Sequence, residues 1–242
     1  MRFAVLPDRE ALDREAAALV WEAVGARPDL LICLASGETP TGTYALLAGA
    51  PERLASARFI QLDEWAGLGA DDPASCAAYL ERTVRGPLAV PAKRWIGFRG
   101  AAPDSAAECR RIEEALRAAG PIDLCILGLG RNGHLALNEP AASFDPFCHV
   151  ATLAEQSRAH PMLAGTAGPV RQGLTLGLGD ILRARRILLL VAGPAKREPL
   201  ARLAAGRVTP QLPASFLWLH GNATCLCDAA AAAGARLEGA GP

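Results

Sequence analysis

Ile122-Asp123-Leu124-Cys125-Ile126-Leu127-Gly128-Leu129-Gly130-Arg131-Asn132-Gly133-His134-Leu135-Ala136-Leu137-Asn138-Glu139-Pro140 is the stretch on which the reading of this chain turns. Residues 122–127 are apolar except for Asp123, and they run into a loop with glycine at 128, 130 and 133. An apolar run bounded by glycine reads as a strand buried on both faces, as in parallel sheets covered by helices. Closely spaced glycines imply a backbone that needs positive φ or that a ligand approaches closely. Working outward, further runs predict strands at Leu30–Leu34, Arg58–Leu62, Trp95–Phe98, Arg171–Leu176, Arg186–Val191 and Asn222–Cys227. Helix-like stretches rich in Ala, Glu, Arg and Leu lie between them: Arg9–Val24, Thr39–Leu47, Ala74–Val84, Asp104–Ala119 and Ala195–Ala204. Asp104-Ser105 followed by Glu108 reads as a helix start with a capping glutamate. Alternating strand and helix predicts a doubly wound α/β fold, a mostly parallel sheet flanked by helices (Rossmann-like).

The 242 residues show no linker and no repeat, so a single domain over 1–242 is expected. Val208–Pro213 reads as a loop, and the Ala/Gly-rich tail Asp228–Pro242 as a helix that frays. Lys+Arg and Asp+Glu both total 25, which gives no charge-driven attraction to nucleic acid or membrane. The chain is 51% hydrophobic, with low charge, so it is not a disordered protein. Alanine supplies 50 of those positions, so much of the packing is by small residues. No apolar run reaches the length of a membrane span, and the start, Met1–Asp8, turns polar too soon for a signal peptide. The seven cysteines are scattered, and Cys225-Leu226-Cys227 lacks zinc-knuckle or redox spacing. Free thiols in a cytoplasmic protein are therefore expected.

In an open parallel sheet, ligands bind beyond the carboxyl ends of the strands, near the point where strand order reverses. Four post-strand loops carry candidate chemistry. Ala35-Ser36-Gly37-Glu38-Thr39-Pro40-Thr41-Gly42 opens a helix, with small residues and hydroxyls suited to an anion, though an ordinary capped turn has the same look. It is neither a Walker A loop nor a dinucleotide fingerprint. Gln61-Leu62-Asp63-Glu64-Trp65 puts two adjacent carboxylates at a strand end, of which one is expected to face a pocket as a general base. The glycine loop carries His134 with Asn132 and Glu139 near it, a set able to fix a tautomer and shuttle a proton. His149, His160 and His220 show no metal-ligand spacing with His134. Finally, Gly193-Pro194-Ala195-Lys196-Arg197 puts one of only two lysines at a helix start, where it opposes the helix dipole unless it faces an anion.

Together these loops resemble the glucosamine/galactosamine-6-phosphate isomerase family, which also includes 6-phosphogluconolactonases. The resemblance runs from Leu30 to Asn222, and Leu127–Pro140 is its most specific element. The Asn138-Glu139-Pro140 ending resembles the amino-sugar phosphate deaminases; the lactonase branch continues differently and carries Asp-Glu-Arg where this chain has Asp63-Glu64-Trp65. Ile32–Pro40, Leu62–Trp65, Thr175–Leu178 and Leu212–His220 are similar to the galactosamine branch, whereas the glucosamine branch usually has Asp-Glu-Tyr at the second loop.

The resemblance implies deamination of a hexosamine 6-phosphate to a ketose 6-phosphate and ammonia, with no cofactor and no metal. Galactosamine 6-phosphate is the expected substrate, with glucosamine 6-phosphate as the alternative and lactone hydrolysis behind both. It implies that Asp63 moves a proton from C2 to C1, that His134 opens the sugar ring, and that Glu139 holds His134. Ser36, Gly37, Glu38, Thr39, Thr41 and Gly130, with Lys196, would bind the substrate and its phosphate. Arg158 is the one arginine in Thr152–Leu163 that could join them. Many relatives have aspartate where this chain has Asn132; an amide cannot take a proton, but it can orient by hydrogen bonding. Asp145–Ala151 has no Arg or Lys, so the allosteric sugar-phosphate site of hexameric relatives is expected to be absent. The implied partner is a small sugar phosphate and the implied assembly a monomer or small homo-oligomer.

Overall fold

The computed structural model describes residues 1–237. Its strands are β1 (Arg2–Leu6), β2 (Leu31–Leu34), β3 (Arg58–Gln61), β4 (Asp63–Trp65), β5 (Trp95–Ile96), β6 (Leu124–Gly128), β7 (His149–Thr152), β8 (Gln172–Thr175), β9 (Arg186–Val191) and β10 (Ala223–Asp228). Seven of them form one sheet in the order β1-β10-β9-β6-β2-β3-β5, with every pairing parallel. A mostly parallel sheet flanked by helices is thus the architecture, as the alternating pattern predicts.

Period-two alternation sends each central strand's residues to opposite faces. Leu31 and Cys33 of β2, Cys125 and Leu127 of β6, and Ile187, Leu189 and Val191 of β9 join one apolar layer. Helices α4 (Ser105–Ala119), α6 (Leu178–Leu182) and α7 (Arg197–Ala204) cover it through Cys109, Ile112, Ile181, Leu200 and Leu203. Ile32, Leu34, Leu124, Ile126, Leu188 and Leu190 face the other way, under α1 (Arg9–Ala26) and α2 (Thr41–Ala48). From β2 the chain steps outward through β3 to β5, then returns to lay β6 on the other side of β2. The loops after β2 and β6 therefore diverge at the reversal of strand order, which is where a parallel sheet opens a ligand crevice.

β4, β8 and β7 form a separate three-stranded antiparallel sheet, with Asp63 opposite Thr175 and Thr175 opposite His149. The expected strand Arg171–Leu176 belongs here and not to the main sheet. Its apolar run reports burial, which both sheets provide, and says nothing of the partner. Trp95–Phe98 shortens to β5 because the Phe98 N–H bonds the Gln61 side chain at 3.1 Å, outside the ladder. The helix expected from Thr39 begins at Thr41, since Gly37 takes a φ of 110° and Pro40 is the cap. Ala74–Val84 divides into α3 (Cys76–Leu80) and a wide turn closed by the Gly86 N–H on the Glu81 carbonyl at 2.9 Å. Asp104 does cap α4, accepting the Ala107 N–H at 2.9 Å. Glu108 does not reciprocate; it accepts from the Arg99 N–H at 2.8 Å and pairs with Arg111. A short α5 (Glu155–Arg158) follows β7, and the tail begins as α8 (Ala229–Ala232) capped by Asp228. The tail helix expected to continue stops at Ala232: residues 233–237 are turn and irregular, with Gly234 at a φ of 86°, and 238–242 lie outside the described residues. All seven cysteines are buried free thiols.

Candidate active site

The turn after β2 is fixed from several sides. The Thr41 hydroxyl donates to the Gly37 carbonyl at 3.1 Å and meets the Tyr79 hydroxyl at 2.9 Å. Ser36 Oγ lies 3.0 Å from Cys76 Sγ on α3. Arg9, from the first turn of α1, donates through Nη2 to the carbonyls of Glu38 and Thr39, each at 2.7 Å. Those two carbonyls are thereby turned toward α1. The Thr39 side chain makes no hydrogen bond among the described residues, and Glu38 stands exposed.

The adjacent carboxylates separate, as β4 requires of neighbouring residues. Glu64 reaches the N-terminus of α3 and accepts from the backbone N–H groups of Trp65, Cys76 and Ala77 and from Gln61 Nε2, at 2.8, 2.9, 2.7 and 3.0 Å. Burial raises its pKa while those bonds pull it down. It is fully engaged, and it locks β4 to α3. Asp63 turns the other way, toward Ser36 and Cys76. Burial, reinforced by the neighbouring Glu64 charge, lifts Asp63 to about 7, and hydrogen bonds from Ser36 and Cys76 only partly oppose the shift. A carboxylate titrating near neutrality is suited to taking and returning a proton.

The glycine loop after β6 is closed on itself: the Gly130 N–H donates to the His134 carbonyl and the Gly133 N–H to the Gly130 carbonyl, both at 3.0 Å. The Gly130 amide is therefore occupied by the loop, and what Gly130 supplies is space. A Cβ there would press to 2.4–2.5 Å of three carbons of the His134 imidazole. Asn132 accepts the His134 N–H at 3.1 Å and donates through Nδ2 to Glu139 Oε2 at 2.8 Å. Glu139 Oε2 is 3.3 Å from His134 Nδ1, Ser157 Oγ is 3.4 Å from the same nitrogen, and the Ala154 N–H reaches Glu139 Oε1 at 3.2 Å. Burial works to raise Glu139, but His134, Ser157 and Asn132 together hold it at about 2.

That depression has a sign. The carboxylate favours the folded state above pH 4.5, and the benefit fades as pH falls toward 2. Glu139→Gln is expected to lose on the order of 2 kcal/mol of stability at pH 7 and to narrow the gap with the parent below pH 4. Urea unfolding of both proteins at several pH values checks it.

Lys196, where β9 gives way to α7, donates to the Leu129 carbonyl at 2.5 Å and so enters the glycine loop. Burial lowers its pKa, the Arg131 charge lowers it further, and Glu38 opposes both. The β2 turn, the glycine loop and the β9 turn thus share one electrostatic neighbourhood. Arg158 does not join it through any hydrogen bond or ion pair among the described residues; it stands exposed on α5, beside the Ser157 that touches His134. Among the described residues, no group of three or more His, Cys, Asp or Glu is disposed to hold a metal ion.

Sequence reasoning missed Arg9, Cys76, Tyr79, Ser157 and His160. Arg9 and Tyr79 come from helices with no motif, and Cys76 reads as a small core residue. His160 packs against Trp65 with ring centroids 5.7 Å apart.

A model of the family described as glucosamine-6-phosphate isomerases/6-phosphogluconolactonase matches residues 8–226. The chain is 39% identical over 222 residues to a putative deaminase, AgaI, of Escherichia coli (strain K12), covering 90% of this chain and 88% of that protein. It is also 39% identical over 230 residues to glucosamine-6-phosphate deaminase 1 of Bacillus subtilis (strain 168), covering 92% and 95%. A solved monomeric glucosamine-6-phosphate deaminase superposes with a TM-score of 0.92 at 36% identity, over 96% of this chain and 99% of that one. A 6-phosphogluconolactonase from Trypanosoma cruzi shares the fold, with a TM-score of 0.80 at 20% identity over 96% of each chain.

Proposed function

The chain belongs to the glucosamine-6-phosphate isomerase/6-phosphogluconolactonase family, and from that premise we propose that it isomerises and deaminates a hexosamine 6-phosphate, consuming one water whose oxygen replaces the C2 nitrogen and releasing a ketose 6-phosphate and ammonia. What supports the reading is that a carboxyl lifted to about 7 beside the turn after β2, a carboxylate-held imidazole after β6 and a lysine bonded to that same glycine loop all lie at the carboxyl ends of strands flanking the reversal of strand order. Asp63 takes the C2 proton of the open-chain sugar and returns it to C1. His134, held by Glu139, handles the ring-oxygen proton; Asn132 fixes Glu139 and the loop backbone and carries no proton itself. Lys196 and the Ser36–Thr41 turn hold the 6-phosphate. Binding the remote phosphate fixes C1 and C2 against the base, and orientation of this kind can supply about 7 kcal/mol of the barrier.

Galactosamine 6-phosphate, giving tagatose 6-phosphate, is the substrate favoured by Trp65 and the flanking galactosamine-type stretches. The glucosamine reading is favoured by the 39% identity to a glucosamine-6-phosphate deaminase across almost the whole chain. Ammonia release from the two hexosamine phosphates, measured side by side, separates them, and no ammonia from either overturns the proposal. Lys196→Ala is expected to raise KM about tenfold or more with a smaller change in kcat, since it removes a charged donor from the phosphate. An unchanged KM takes Lys196 out of the site. Work in the cytoplasm, on a small sugar phosphate, fits this chemistry.

A further inference from the structure

Asn138 is 2% exposed, and only one end of its amide is used. Nδ2 donates to the Leu135 carbonyl at 3.0 Å and to the Leu176 carbonyl at 2.9 Å. Oδ1 is buried and makes no hydrogen bond among the described residues. The turn it closes, Leu135–Asn138, holds Ala136 at a φ of 53°, where a side chain is disfavoured. A desolvated oxygen without a partner and a left-handed alanine both cost stability. The two carbonyls do not need the amide, because each has another donor. The Asn138 N–H reaches the Leu135 carbonyl at 2.9 Å, and the Thr175 hydroxyl reaches the Leu176 carbonyl at 3.0 Å.

What the amide does is join two chain segments. Leu135 and Asn138 lie between His134 and Glu139. Leu176 follows β8; its N–H donates to the Leu62 carbonyl at 3.0 Å, and the preceding Thr175 is registered against Asp63. The Leu137 N–H adds a bond to the Thr175 hydroxyl at 3.2 Å. A continuous run of hydrogen bonds therefore leads from the segment bearing the imidazole and its carboxylate, through Asn138 Nδ2, to the end of β8 and across the ladder to the base. We infer that Asn138 is a positioning residue, whose side-chain amide sets the separation of Asp63 from the His134–Glu139 pair. The inference rests on the hexosamine-phosphate reading and deepens it, since ring opening and proton transfer act on one sugar and need these groups at a fixed spacing.

Two substitutions of the whole chain test it, with ammonia release and thermal unfolding read on the same preparations. Asn138→Leu keeps the buried volume, removes the unpartnered oxygen and leaves both carbonyls bonded, so Tm is expected to stay within a few degrees of the parent. Asn138→Ala removes the same bonds without crowding and is expected to lose more in Tm through the cavity it leaves. In both, kcat is expected to fall about thirty- to a hundredfold with KM within about threefold, since Lys196 and the Ser36–Thr41 turn are untouched. The pH at which kcat/KM levels off should stay near 7, because Glu64, Ser36 and Cys76 around Asp63 are unchanged. A merely structural amide gives the opposite split, a large fall in Tm with kcat per folded molecule retained. That split, a KM that rises as much as kcat falls, or failure of both variants to fold overturns the inference. A parent protein that releases no ammonia from either hexosamine phosphate defeats the deaminase reading itself, and this inference with it.

Discussion

Asp63→Asn is expected to lower kcat by about two to four orders of magnitude and, at the same time, to make the protein harder to unfold above pH 7. The loss follows from removing the proton acceptor while keeping the shape of the side chain, so KM should change little. The gain follows from burial. Asp63 ionises near 3.8 in the unfolded chain and near 7 in the fold. Below pH 3.8 the carboxyl is protonated in both states and has no such effect; through the interval up to 7 the folded state is progressively disfavoured as pH rises. An uncharged amide escapes that effect, which amounts to at most about 4 kcal/mol for a shift of this size. Melting curves of parent and variant from pH 4 to 8 should diverge with rising pH. The same ionisation should make kcat/KM of the parent climb with pH and level off above about 7. A variant with near-normal turnover, or a stability gap independent of pH, would remove Asp63 as the base.

The second large effect is expected from a residue with no functional group. Gly130→Ala leaves the backbone conformation accessible, because Gly130 does not sit at positive φ. The new methyl, however, would clash with the His134 ring, 2.4–2.5 Å from three of its carbons. His134 is partly exposed and can swing aside, which breaks its 3.3 Å contact with Glu139. Displacing a reacting group by about 1 Å can cost a hundredfold, and a loss of that order in kcat is expected with a stability change near 1 kcal/mol. Assay and denaturant unfolding of the same preparation test both parts. Undiminished kcat would mean that the position of this imidazole does not limit the reaction.

The fold was legible where burial is continuous. β9 matches its expected bounds, Arg186–Val191, because nothing polar interrupts the run until the sheet ends. β7, at His149–Thr152, was not legible, since three of its four residues are partly or fully exposed and alternate poorly. β4 was hidden for another reason: its partner, β8, lies far along the chain, and three residues carry no period of their own. The site divides the same way. Asp63, His134, Glu139, Lys196 and the Ser36–Thr41 turn each follow a strand, so the rule about carboxyl ends points to them from sequence alone. Arg9 reaches the turn after β2 only through tertiary packing, and an arginine in a polar first helical turn reads as solvated. At Gly130 the glycine pointed to close approach by a ligand, and the structure shows a close approach by the His134 ring.

The order of strands also sets the order of assembly. β1, with Arg2 registered against Thr224, has β10 as its one neighbour in the sheet. During synthesis, then, β1 waits for β10, the last of these ten strands, and a chain that already contains every candidate catalytic residue still lacks the contact that closes that side. Such sequence-distant pairing slows folding and leaves apolar edges open to other chains meanwhile. Yield of active protein should therefore depend on how synthesis and dilution protect that waiting strand, far from any residue that touches sugar.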